Sequence, residues 1–308
     1  VSTPFFKRTG FHIVVLVGSL LGVTLLAGCA ASGPPLVPTP SASASSFGHV
    51  HGLGIDGTTG TIYVATHRGL FSVAGSTTSP LRPESLGGPI AGLRQDTMGF
   101  TMDGGRMYAS GHPDPTVSPE RNLGLISSTD NGKNWAVISL NGTSDFHDVE
   151  VSHISPGEPT IYGFDGVDNS IQVSRDGGAT WTSGATLELR DLAADRAIPG
   201  TIYATTSGGL KVSHDFAATF NAISDAPSLY LVASAGTIGQ TKLVGVDVSG
   251  AVWVKSNDMP WESTGTVEGA ADAITISATP IPTILAADQR GIVASSDLGA
   301  TWRTLVTK

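Results

Sequence analysis

The chain is poor in cysteine, in charge and in helix signals. It has 308 residues and one cysteine, Cys29. No intramolecular disulfide is possible, so a disulfide-stapled secreted scaffold is excluded. Charged residues make up 14% and aromatics 6%. Lysine and arginine number 17 against 26 acidic residues, a formal net charge of −9. That balance argues against nucleic acid as a partner and against electrostatic attraction to anionic lipid. Glycine-rich stretches such as Gly163-Phe164-Asp165-Gly166 lack the strand and helix context of a phosphate loop and read as turns. What is abundant is glycine itself, 39 residues. Many turns with few helix signals describe an all-β protein, and the length suffices for a large core.

The amino end has a different composition. Lys7 and Arg8 precede an apolar stretch from Ile13 to Ala27, short for a membrane span, and Leu26-Ala27-Gly28-Cys29 follows. This is the pattern of an export signal, and its last four residues resemble a bacterial lipobox. The resemblance implies cleavage before Cys29 and a lipid on its thiol. Residues 1–28 are then a lipoprotein signal peptide. Residues 29–47, rich in Ser, Pro and Ala, form a tether. Residues 48–308 form the folded domain. The expected location is the cell membrane, lipid-anchored through Cys29 on the extracytoplasmic side of a bacterium. Without Lys7 and Arg8 the net charge is near −11.

Beyond the tether, one stretch recurs. Ser174-x-Asp176-x-Gly178-x-Thr180-Trp181 returns as Ser128-x-Asp130-x-Gly132-x-Asn134-Trp135 and as Ser295-x-Asp297-x-Gly299-x-Thr301-Trp302. Ser213-x-Asp215-x-Ala217-x-Thr219-Phe220 is a worn copy, and Ser256-x-Asp258-x-Pro260-Trp261 is one residue shorter. The aspartates stand 46, 39, 43 and 39 residues apart. A period of about 40–45 residues marks a propeller or solenoid. Each copy follows an alternating run such as Ser170-Ile171-Gln172-Val173, so each reads as a hairpin turn. Its Asp accepts from backbone N–H groups of its own turn, and its Trp packs between sheets.

These residues resemble the Asp-box, or BNR, repeat of sialidase-like propellers. The resemblance implies a structural role for Asp130, Asp176, Asp215, Asp258 and Asp297. Six units of about 43 residues fit between residue 48 and the end of the chain, each the size of a four-stranded blade. A six-bladed β-propeller is the expected fold; a seventh blade would need strands the sequence does not offer. Unit one has no box, and the irregular segment 74–96 leaves room for additional outer structure.

In a blade meander, inner strands begin at the rim to which second strands return. His49 and His51 enter the inner strand of unit one, and His147 that of unit three. His67 and His112 end second strands, and Met98 starts the inner strand of unit two. These six residues are expected on one rim, with His153 and His214 on the face of the boxes. Imidazole nitrogens suit copper and zinc, and a thioether favours copper(I). The site is read as a candidate for copper first and zinc second, or for a non-metal ligand or protein partner on the same face. A monomer is expected.

The same resemblance raises a sialidase-like glycoside hydrolase. That family binds a substrate carboxylate with three arginines, uses a Tyr nucleophile assisted by Glu, and carries an R-I-P motif. The motif is absent, and arginine is thin at the expected rim. Arg190, Tyr230, Asp148 and Glu150 are the residues from which such a site would be built, and the balance is against an enzyme. The chain is also similar to photosystem II assembly-factor and sortilin-type propellers, a resemblance that implies a protein-binding scaffold.

Overall fold

The computed structural model describes residues 48–308 apart from 77–78, 87, 154–156, 197, 238–239 and 278–281. Cys29 and the stretches expected to be a signal peptide and a tether lie outside the described residues. Six antiparallel sheets follow one another along the chain, each a meander of consecutive strands. Blade one is Val50–Ile55, Thr61–Thr66 and Gly69–Ala74. The inner strands of blades two to six are Asp96–Asp103, Phe146–Ser152, Asp191–Ala194, Leu229–Thr237 and Ala273–Ser277. Each inner strand packs on the next, and that of blade six packs on that of blade one. The ring closes with six blades.

The core lies between blades. Side chains alternate along each strand, so one face of a sheet meets the next blade on either side. Val64, Ile62 and Leu53 of blade one pack with Leu285, Ile292 and Leu305 of blade six. Burying each such side chain is worth about 1.5–3 kcal/mol. Glycine is used where an inner strand approaches closely. A Cβ on Gly163 would stand 2.7 Å from the Phe146 ring.

Among the described residues blade one has three strands rather than four. The chain after Ala74 leaves its own blade. The Leu81 N–H donates to the Leu305 carbonyl at 2.9 Å, and Thr307 N–H donates to Leu81 at 2.8 Å. Leu81 thus forms a one-residue parallel bridge on the outer edge of blade six. Two 3-10 turns, Pro83–Leu86 and Ile90–Gly92, then pack on the third strand of blade one. The irregular segment therefore ties the two ends of the ring, and the missing outer strand explains why unit one carries no repeat hairpin.

Four of the repeated turns share one hydrogen-bond pattern. In the copy at Ser174, the hydroxyl donates to Asp176 Oδ1 (2.8 Å) and accepts the Gly178 N–H (2.7 Å). Asp176 accepts the Thr180 N–H (2.9 Å) and hydroxyl (2.6 Å), which hold its carboxyl down to about 2. The Trp181 indole N–H reaches Gly178 O at 3.1 Å and Ser139 Oγ of the preceding blade at 2.9 Å. Asp130, Asp215 and Asp297 repeat the carboxylate bonds. The fifth copy departs. With one residue fewer and no hydroxyl or amide at the matching position, the turn closes through Met259 N–H to Ser256 O at 3.0 Å, and Asp258 takes none of these bonds. The staple role expected of Asp258 does not hold.

Candidate functional site

The inner strands enter the rim through an irregularity that sequence does not show. In blades one, two, three and five the pairing with the second strand slips by one residue. His51, Met98, His147 and Tyr230 are the extra residues. Arg190 and Asp272 hold the matching places in blades four and six, where each donates its N–H to the second strand beside the first paired residue. A bulge bends the strand and re-aims the side chain. The rim therefore presents six matching positions, one per blade, four of them bulges.

Three imidazoles meet at the mouth of blade one. His51 Nε2 lies 3.2 Å from His67 Nδ1, and His51 Nδ1 lies 3.3 Å from His49 Nδ1. One ligating nitrogen from each falls within 4.8 Å of the others. Asp96, at the start of the inner strand of blade two, accepts from His67 Nδ1 at 2.9 Å and stands 3.6 Å from His51 Nε2. His49 Nε2 faces Asp272 at 3.8 Å. Burial pushes the His51 pKa down to about 3, and the neighbouring His49 and His67 add to the effect. Its imidazole is neutral at neutral pH, as a metal ligand requires.

His112 and His147 do not join this triad; they gather about Asp145 instead. His147 Nε2 lies 3.1 Å and His112 Nε2 3.5 Å from Asp145 Oδ2. The hydrogen bond to Asp145 raises the His147 pKa. Burial alone would raise Asp145, but its bond to His147 and the charges of both histidines leave it below the ordinary value. Met98 is the bulge residue of blade two. The five histidines expected at one rim with Met98 thus fall into two clusters.

A cavity of about 80 Å³ is lined by His49, His51, His147, Arg190 and Asp272 together with three carboxylates. These carboxylates clasp adjacent blades. Asp148 accepts the Leu192 N–H (2.8 Å), Glu150 the Ala194 N–H (3.1 Å), and Asp191 the Val232 N–H (2.7 Å). Burial raises Asp148 to about 6 and Glu150 to about 8, and drives Asp191 upward as well; the Asp148 charge adds to the rise of Glu150 and Asp191, and the Glu150 charge to that of Asp191. The accepted N–H bonds and nearby Arg190 and Arg196 pull the other way, and desolvation wins. Arg190 donates to the Tyr230 hydroxyl (2.8 Å) and to the Asp272 carbonyl (3.1 Å).

The residues raised for a glycosidase, Arg190, Tyr230, Asp148 and Glu150, do meet around the channel. Both carboxylates, however, are engaged in holding inner strands together. The cavity is far below the roughly 300–1,000 Å³ of ordinary ligand pockets. Asp96, Asp145, Asp191, Asp272 and Arg196 were not singled out from sequence. Asp191 could have been found by aligning the inner-strand starts, where it follows Arg190 as Asp148 follows His147.

Fold and site together define a six-bladed β-propeller with a histidine-rich mouth over a carboxylate-lined channel. No family model matches the chain, and no curated protein matches it. Among solved structures it is similar to an ancestral GH74 enzyme at 13% identity and a TM-score of 0.48, covering 80% of this chain and 36% of the enzyme. It is similar to a YCF48 protein bound to a D1 peptide at 13% and 0.47, covering 85% and 82%. A chain of a nidogen/laminin complex gives 12% and 0.47, covering 82% and 78%. The chain thus spans about a third of the GH74 enzyme. At these values the likeness adds nothing to what the strand topology establishes.

Proposed function

We infer that this protein is an extracytoplasmic, lipid-anchored binding propeller whose mouth takes up a transition-metal ion, copper or zinc. The observation that carries the reading is the convergence of His49, His51 and His67 within 4.8 Å. Two nitrogens bonded to one ion at about 2.0–2.1 Å can stand no more than about 4.2 Å apart. A small rotation of exposed His49 or His67 suffices to complete the set. Asp96 supports it as a carboxylate behind a ligating histidine, which orients the ring and raises its basicity. Three imidazoles suit zinc or copper. Cys29 and the basic and apolar stretches before it support the anchor and the extracytoplasmic location.

Competition titration of the untagged full chain with a chromophoric copper or zinc chelator tests the reading. A His49→Ala/His67→Ala variant is expected to bind at least 100-fold more weakly. Equal affinity in the two proteins would refute it.

A further inference from the structure

We propose a binding site for a small organic acid in the seam between blades four and five, beside the shortened fifth turn. It takes an apolar ring or short chain that carries one oxyanion. It shares no residue with the histidine mouth and does not depend on a metal there.

Each fully formed repeated turn also seals the seam to the preceding blade. A Cβ added to Gly132 of blade two would stand 2.9 Å from Leu70 of blade one. One on Gly299 of blade six would stand 2.7 Å from Val252 of blade five. Gly178 closes blade three on blade two in the same way. The Ala217 carbonyl of blade four accepts the Ala185 N–H of blade three at 2.8 Å. Two seams lack such a turn, because blade five carries the shortened copy and blade one carries none. Those two seams hold cavities of about 470 Å³ and 420 Å³. Two indole N–H groups, those of Trp261 and Trp302, are buried without a partner among the described residues, and they stand at the same two seams.

The two cavities differ in their walls. The one between blades six and one is lined largely by glycine and hydroxyl residues, Gly57, Gly60, Ser295 and Thr301 among them. The one between blades four and five has an apolar wall of Tyr203, Val212, Ile223 and Leu243, and Trp261 packs on these residues. A volume within the roughly 300–1,000 Å³ of ordinary ligand pockets, walled by apolar side chains with a few polar groups, is the form of a small-molecule site.

The polar groups of this seam have donors to spare. Lys255 Nζ donates to the Met259 carbonyl at 2.9 Å and stands 3.5 Å from the exposed Asp225, which leaves one N–H to give. Asn257 Oδ1 accepts the Thr241 N–H at 2.8 Å, and its Nδ2 has no partner among the described residues. Lys255 Nζ lies 6.0 Å from the centre of the Trp261 ring, so ammonium and indole share one neighbourhood. The nearby Asp195 carboxylate is engaged by the Tyr203 and Thr241 hydroxyls at 3.2 Å and 2.9 Å. Asp225 and Asp258 are exposed, and salt and water screen their charge. Unspent donors beside an apolar wall match one acceptor group on an apolar body. An oxyanion makes the strongest such bond to an ammonium.

Fluorescence titration of the untagged full chain with anilinonaphthalene sulfonate, an aromatic sulfonate, tests the site. The wild type is expected to bind it with a saturable rise in emission. Val212→Trp, which fills the cavity from blade four, is expected to abolish binding. Replacing the shortened turn by the sequence of the turn at Ser174 is expected to do the same and to raise the melting temperature. Lys255→Met, which keeps the apolar stem and loses the ammonium, is expected to weaken binding about tenfold. Circular dichroism checks that each variant folds, and the two ways of closing the seam are independent of each other. No saturable binding by the wild type, or wild-type affinity in a folded variant with the seam closed, would overturn the site. Wild-type affinity in Lys255→Met would overturn the acid as its ligand class.

Discussion

His51 Nε2 and His67 Nδ1 lie 3.2 Å apart across the first two strands of blade one, with the ring centroids 4.3 Å apart and nearly perpendicular. His51 reaches that position because the register slips at it, between Val50 and Gly52. An unslipped strand would turn the side chain to the other face. The bulge, more than the histidine itself, makes the mouth a candidate site.

The channel carboxylates make stability depend on pH. Asp148 is raised from 3.8 to about 6 and Glu150 from 4.5 to about 8, with Asp191 raised too. The folded state therefore holds protons that the unfolded chain releases. This contribution is fully present below about pH 4 and is lost as pH rises through about 6 and 8. For a single group, a rise of this size in Asp148 corresponds to about 3 kcal/mol. Above the ordinary histidine range, where neutral His51 no longer adds a rise, the melting temperature is expected to fall between pH 7 and pH 9. Asp191→Asn, which keeps an acceptor for the Val232 N–H, is expected to flatten that fall. A wild-type melting temperature that rises over the range would contradict the assignment.

Ser174 and Ser256 begin two copies of one motif with different consequences. Ser174 Oγ satisfies the buried Gly178 N–H, so Ser174→Ala is expected to cost about 1–3 kcal/mol. In the shortened copy, Ser256 Oγ accepts only from the Lys242 ammonium. Ser256→Ala is expected to cost less than about 0.5 kcal/mol. Urea unfolding of both variants checks the difference, and equal losses would remove the distinction between the two turns.

Gly178 sits at φ +96°, and a Cβ there would stand 2.6 Å from Leu125 Cδ2 of the neighbouring blade. Gly178→Ala meets both backbone strain and overpacking, so a loss of about 2–4 kcal/mol is expected. Differential scanning calorimetry reads it directly; an unchanged unfolding temperature would show that the turn relaxes freely.

The blades were legible in sequence because each repeats a local hydrogen-bonded turn, and a local turn writes its residues at fixed spacing. Asp176 and Thr180 are four residues apart wherever the turn occurs. The face of the histidines was legible for the same reason, since strand direction follows from turn order. Their division into two clusters was not. It depends on where each imidazole points around the ring, and His67 and Asp96 are joined only by the fold, 29 residues apart across the irregular segment. Asp258 shows the opposite failure, since a residue can keep the motif's letter after the turn has lost its geometry. The outer edge of blade six is completed by Leu81, 225 residues earlier than Val306, and no local pattern announces it.

The lipid anchor has its own test. Cys29→Ser is expected to move the protein from the membrane fraction to the soluble extracytoplasmic fraction. Retention in the membrane would remove the anchor from the account.

The most direct measurement is anomalous diffraction from crystals of the untagged protein soaked with copper or zinc, recorded at the metal edge. A peak about 2.0–2.1 Å from one nitrogen each of His49, His51 and His67 is predicted. Full soaking with no peak at that mouth, or a peak bound only by other residues, would contradict the central claim.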